Sequence, residues 1–128
     1  MSGRMRTLIY GDPAECENAQ NLIQALLCDG TGLLECRHVS CHEDLSLELM
    51  QWHPCLTVVL ADGPAGMEGV YAVKDNYPRS SVFWFSNDRG FGMMSHRLEC
   101  AYFSVKPVTE EKLQRALRRC DHVGIRFP

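Results

Sequence analysis

Two stretches of this chain place reactive residue types at telling spacings. In Phe103-Ser-Val-Lys-Pro-Val-Thr-Glu-Glu-Lys-Leu113 a short apolar strand ends at Lys106-Pro107, and an amphipathic helix follows at once. Lys106 therefore stands at the carboxyl end of a strand, where the loops of an open α/β sheet gather their ligands. The second stretch, Cys36-Arg-His38-Val-Ser-Cys41-His42, holds four side chains of the kind that bind zinc. Structural zinc sites usually draw paired short spacings from two segments. On a strand Cys36 and His38 share a face while Cys41 falls on the turn, so a metal site here is a minor alternative. No GxSxG, Walker A, GxGxxG or HExxH pattern occurs, and nothing local poises a serine or cysteine as a nucleophile. The chain does not read as an enzyme.

The elements that must position Lys106 can be read outward from it. Pro107 lacks an N–H and ends the strand. Thr109 can cap the next helix, Glu110 and Glu111 suit its positive end, and Arg115, Arg118 and Arg119 suit its negative end. Leu113, Ala116, Leu117 and Cys120 recur on one face. Upstream, Arg6–Tyr10 reads as a strand stopped by Gly11-Asp12-Pro13. Ala14–Cys28 reads as a helix with its apolar stripe at Ala19, Leu22, Ile23, Leu26 and Leu27, ended by Asp29-Gly30-Thr31-Gly32. Leu34–Ser40 is a second strand and Glu43–Trp52 a short helix. Leu56–Ala61 is a continuous apolar run, as in a central parallel strand covered on both faces. The spacing predicts a helix over Met67–Tyr77, a strand over Ser81–Phe85, a short fourth helix over Met93–Glu99, and a last pair over Ala101–Val105 and Thr109–Cys120. Gly90 and Gly92 should keep the fourth helix short. Alternating strands and helices imply a parallel sheet with helices on both faces, wound right-handed.

The chain has 128 residues, 45% apolar and 23% charged, which suits one globular domain over residues 1–128 with its core at about 5–121. A net charge of −3 gives no basic field for nucleic acid. No apolar run can cross a bilayer and no signal-peptide pattern is present, so a cytoplasmic location and no membrane partner are expected. Seven scattered cysteines, with no CxxC pair, read as reduced thiols inside apolar stretches.

The Lys106-Pro107 strand end and its helix resemble the last unit of response-regulator receiver domains of the CheY-like superfamily. The wording Lys-Pro-Val-Thr-Glu-Glu-Lys-Leu is closest to receivers that precede LytTR-type DNA-binding domains. The resemblance implies a flavodoxin-like (βα)5 sheet in strand order 2-1-3-4-5 and the chemistry of two-component phosphorelay signal transduction. Such receivers move a phosphoryl group from a kinase histidine to their own aspartate, chiefly by positioning and electrostatics. They do so with Mg²⁺ held by acidic residues after strand one. The acceptor Asp ends strand three, a Ser or Thr ends strand four, and a Lys ends strand five. Lys106 matches that lysine. Ser86 matches the hydroxyl, at the spacing from Lys106 found in LytTR-type receivers. Phe103 stands where the family places its switch aromatic.

Other positions depart from the pattern. Where members read Asp-Asp-Glu-Pro, this chain reads Tyr10-Gly11-Asp12-Pro13, which leaves Asp12 as the sole carboxylate available to a metal there. Neither tyrosine nor glycine supplies carboxylate oxygen to Mg²⁺. Counting from Pro54 puts Leu60 at the acceptor position, and counting back from Met67-Glu68-Gly69 puts Ala61 there. Asp62, one or two places late, is the phosphoacceptor candidate. The expectation is a pseudo-receiver, with Mg²⁺ in doubt. It would act through protein–protein contacts on the face of the fourth helix, fifth strand and fifth helix, where Lys112, Arg115 and Arg119 could pair across a homodimer. Its partner would be a histidine kinase or another signalling protein, and nucleic acid would enter only through an output domain outside this chain. The alternatives are a working receiver phosphorylated on Asp62 that controls a DNA-binding output, and a flavodoxin-like module binding a small ligand or metal.

Overall fold

The computed structural model describes residues 5–27 and 34–120. Five strands form one parallel sheet: β1 (Met5–Tyr10), β2 (Leu34–Val39), β3 (Leu56–Val59), β4 (Ser81–Ser86) and β5 (Tyr102–Val105), in the order β2-β1-β3-β4-β5. Between and after them run α1 (Pro13–Leu27), α2 (His42–Gln51), α3 (Pro64–Asn76), α4 (Gly92–Arg97) and α5 (Glu110–Cys120). A single 3-10 turn, Arg89–Phe91, leads into α4. This is the doubly wound α/β arrangement expected from the sequence.

Neighbouring residues of the inner strands point to opposite faces, and both faces are apolar. Ile9, Val58, Phe83 and Phe85 pack with Ala19 and Ile23 of α1 and with Leu113, Ala116 and Leu117 of α5. Leu8, Val59, Val82 and Trp84 pack on the other side with Leu45 and Leu49 of α2 and Val70 and Val73 of α3. Every residue of β3 and β4 is buried, which is why those segments are mostly apolar, with Thr57, Ser81 and Ser86 as buried polar exceptions. The stripe on α5 is buried as its spacing predicts, and the Thr109 hydroxyl accepts the Lys112 amide at 3.2 Å as the helix cap.

The ends of elements differ from the sequence expectation. β3 stops at Val59, although the Leu60 amide still donates to the Tyr10 carbonyl at 2.7 Å. α3 starts at Pro64, three residues before its apolar period is legible, because proline is tolerated in the first helical turn. Trp52 is the C-cap of α2 rather than its last turn. Cys28 and the Asp29–Gly32 stop signal lie outside the described residues. No helix among the described residues is long and apolar enough to cross a membrane.

The strand order reverses between β1 and β3. The crevice above their carboxyl ends is the place such sheets offer a ligand. Tyr10, Val59, Ser86 and Val105 end their strands there, and Lys106 follows directly.

Candidate functional site

The Lys106 backbone amide donates to the Ser86 carbonyl at 3.0 Å, extending the β4–β5 pairing by one residue. The side chain is then carried over the sheet edge. Its ammonium donates to Glu15 Oε1 at 2.8 Å and to the Leu60 carbonyl at 2.7 Å, and lies 3.2 Å from Asp62 Oδ1. The lysine side chain is only 10% exposed, whereas Glu15 and Asp62 are 43% and 44% exposed. An ammonium has three N–H bonds, and three acceptors surround this one.

Asp62 reaches the pocket from the loop after β3. Gly63, at φ 66°, reverses the chain behind it in a conformation that suits glycine, and Pro64 then opens α3. The carboxylate is held by two donors from the loop after β4. Asn87 N donates to Oδ1 at 3.1 Å and Asn87 Nδ2 donates to Oδ2 at 3.0 Å. Asn87 and Glu15 are site residues that sequence reasoning missed. Glu15 had one signal, its place in the first turn of a helix beside β1, where negative charge is favoured. Asn87 had none beyond its adjacency to Ser86.

Ser86 is 1% exposed, and its hydroxyl accepts the Asp88 amide at 3.1 Å, so it organises the turn that follows β4. Asp12 caps α1, with Oδ2 accepting the amides of Ala14 at 3.1 Å and Glu15 at 3.3 Å. Tyr10 is 2% exposed and packs beneath α2 and α3. Burial, then the nearby Cys41 and Glu68, raise its phenol above the ordinary value. Phe103 is half-buried, edge-on to Trp84 at 5.6 Å between centroids, and Phe91 lies tilted on the same indole at 5.2 Å.

β1 ends in a phenol and a glycine, and the Asp12 carboxylate is engaged by helix amides. Among the described residues no three His, Cys, Asp or Glu side chains converge as a metal site. The segment Cys36–His42 is likewise spread out. Cys36 packs against the core under α1, the Cys41 sulfur accepts the Asp44 amide at 3.5 Å, and His38 is exposed. On the face of α4, β5 and α5, Lys112 turns back on its own loop, donating to the carbonyls of Val105 at 2.6 Å and Pro107 at 2.9 Å. The Arg119 guanidinium lies over the Tyr102 ring at 5.5 Å.

No protein-family model matches the chain, and no curated protein does. Solved structures do. A CheY-like receiver domain protein of Methanospirillum hungatei superposes with a TM-score of 0.75 at 14% identity, over 94% of this chain and 97% of that one. The receiver domain of a signal transduction histidine kinase from Syntrophus aciditrophicus gives 0.73 at 17% identity, over 93% and 92%. The chemotaxis response regulator CheY4 of Vibrio cholerae gives 0.70 at 14% identity, over 91% and 98%. At such identities the likeness is one of architecture: the protein has the flavodoxin-like (βα)5 fold of CheY-like receiver domains.

Proposed function

We propose that the protein is a pseudo-receiver, a two-component-type signalling domain that works by protein contact rather than by Mg²⁺-dependent phosphorylation. One observation carries this reading: the Lys106 ammonium is already engaged, donating to Glu15 and the Leu60 carbonyl and ion-paired with Asp62. The lysine that would receive a phosphoryl group is thus neutralised from within. One cation against Glu15 and Asp62 leaves the pocket with a net negative charge. A phosphoryl group on Asp62 would raise its charge to about −2 next to Glu15, with no assembled metal site to offset it. The face available for contact is that of α4, β5 and α5, where Met93 is 73% exposed while Phe91, Met94 and Phe103 pack partly buried against the core. The fit to receiver structures supports a histidine kinase or other signalling protein as partner. Adding beryllofluoride with Mg²⁺ should leave the amide spectrum unchanged. Saturable shifts at Ser86, Asn87 and Lys106 would overturn the reading.

A second reading rests on Asp62 itself. Its carboxylate is 44% exposed and 3.2 Å from the Lys106 ammonium, where an acceptor would need to be. In that case a phosphodonor such as acetyl phosphate would introduce acid-labile label, and Asp62→Asn would abolish it. Label that persists in the variant would defeat this alternative.

A further inference from the structure

A cavity of about 770 Å³ opens at the amino-terminal ends of β4 and β5, lined among others by Lys74, Arg79, Ser81, His96 and Arg119. It lies a full strand length from Lys106, roughly 17 Å along β4. Three cationic residues from three elements line it: Lys74 on α3, Arg79 in the loop before β4, and Arg119 on α5. Among the described residues, Glu99 is the only carboxylate that lines it. The chain as a whole carries a net charge of −3, so this gathering is not a reflection of general basicity.

None of the three is in an ion pair among the described residues, although the Arg119 guanidinium lies over the Tyr102 ring at 5.5 Å. The ion pairs among the described residues are Arg37–Glu48, Lys106–Glu15 and Lys106–Asp62, all remote from this cavity. Lys74 is held in place by donating to the carbonyls of Pro78 at 3.4 Å and Ser80 at 3.2 Å, which leaves one N–H free. Ser81 is 4% exposed, and its hydroxyl is one of four buried side-chain polar atoms without a partner among the described residues, with those of Thr7, Thr57 and Trp84; of the four, Ser81 borders this cavity. A buried polar atom left unpaired calls for an ion, a water or a ligand. Pro78, Cys100 and Ala101 add apolar lining. The volume lies within the range of about 300–1,000 Å³ typical of small-molecule sites, well above the need of a bare inorganic anion.

We infer that this cavity binds a small organic phosphate, its anionic group held by Lys74, Arg79 and Arg119 and its body set against Pro78 and Ala101. Arginine forks match phosphate oxygens, and a multiply charged anion suits three cations facing one carboxylate. The cavity shares no residue with the Lys106 pocket, so the inference does not rest on the reading of that pocket, although Arg119 also belongs to the α5 side of the proposed contact face. The test is titration of the ¹⁵N-labelled chain with adenosine diphosphate, inorganic pyrophosphate and adenosine. The diphosphate should give saturable shifts at residues 74–81 and 95–101, and adenosine none. Pyrophosphate binding as tightly as the nucleotide would place recognition in the anion alone; weaker binding would show that the organic body contributes. Both results support the site. The pair Arg79→Glu and Arg119→Glu should weaken the diphosphate by about tenfold or more, and the charge-matched pair Arg115→Glu and Arg118→Glu should not. The inference falls if no saturable shift occurs at millimolar concentration or if the shifts fall on Asn87 and Lys106. It also falls if both variant pairs weaken binding equally, or if only a polyglutamate peptide binds, which would make this a protein-docking surface. The wild-type shift map decides even where a variant does not fold.

Discussion

Lys106 shows how one side chain can be both legible and misleading. Its position was legible because every signal for it is local: an apolar strand, a proline next to it, a capped helix. Its state was not, because Glu15 stands 91 positions away in the chain and Asp62 reaches it only through the turn at Gly63. The energetics follow from burial. Leu60 is 1% exposed, and its carbonyl takes one of the lysine N–H bonds. Lys106→Met should therefore cost about 1–3 kcal/mol in urea unfolding, mostly from leaving that carbonyl unpaired. Glu15→Gln removes only a half-exposed partner and should cost less than about 1 kcal/mol. Equal losses in the two variants would mean that the ion pair, not the carbonyl, is the larger contribution.

Among the elements, α3 and α4 have the ends that sequence reasoning judged least well, and each end has a physical reason. In α3 the first turn is built on Pro64, Ala65 and Gly66, which show no apolar period. A Cβ on Gly66 would lie 2.2 Å from the Ala61 carbonyl oxygen, so the turn closes on the loop that carries Asp62 only with glycine there. Glycine to alanine in a helix interior ordinarily stabilises by about 1 kcal/mol. Gly66→Ala should reverse that sign and lower the urea midpoint, with shifts at Ala61 and Asp62. α4 ends differently. Glu99 follows its C-cap at φ 58°, a left-handed conformation that glycine adopts at no steric cost. Glu99→Gly should raise stability by up to about 1 kcal/mol, measured by the same urea titration.

At the scale of the whole molecule, cysteine usage and pH response follow from where the sheet and helices place the thiols. Among the six described cysteines, Cys41 and Cys55 are exposed and Cys16 and Cys120 buried. Burial pushes Cys16 up to about 11, with Asp12 and Glu15 adding to the rise and Lys106 opposing it. Burial likewise pushes Cys36 and Cys100 up to about 12. The folded chain thus holds these protons more tightly than the unfolded chain, whose thiols titrate near 9.0. Their contribution to stability is complete below that value and is lost as pH rises from there towards 12. Urea midpoints should be flat from about pH 7 to 8 and fall above about 9, with a smaller fall in Cys100→Ser.

Alternation of apolar strands and helices determined the class of fold from the residues alone, since a β3 or β4 covered on both faces must be mostly apolar. Turn and cap chemistry likewise announced Lys106 and the helix after it. The tertiary structure alone decided what meets at each end of the sheet: Glu15 and Asp62 on the lysine at one, Lys74, Arg79 and Arg119 around a cavity at the other. Each of those meetings joins segments far apart in the chain, and a periodicity read along the backbone carries no information about which side chains the fold brings face to face.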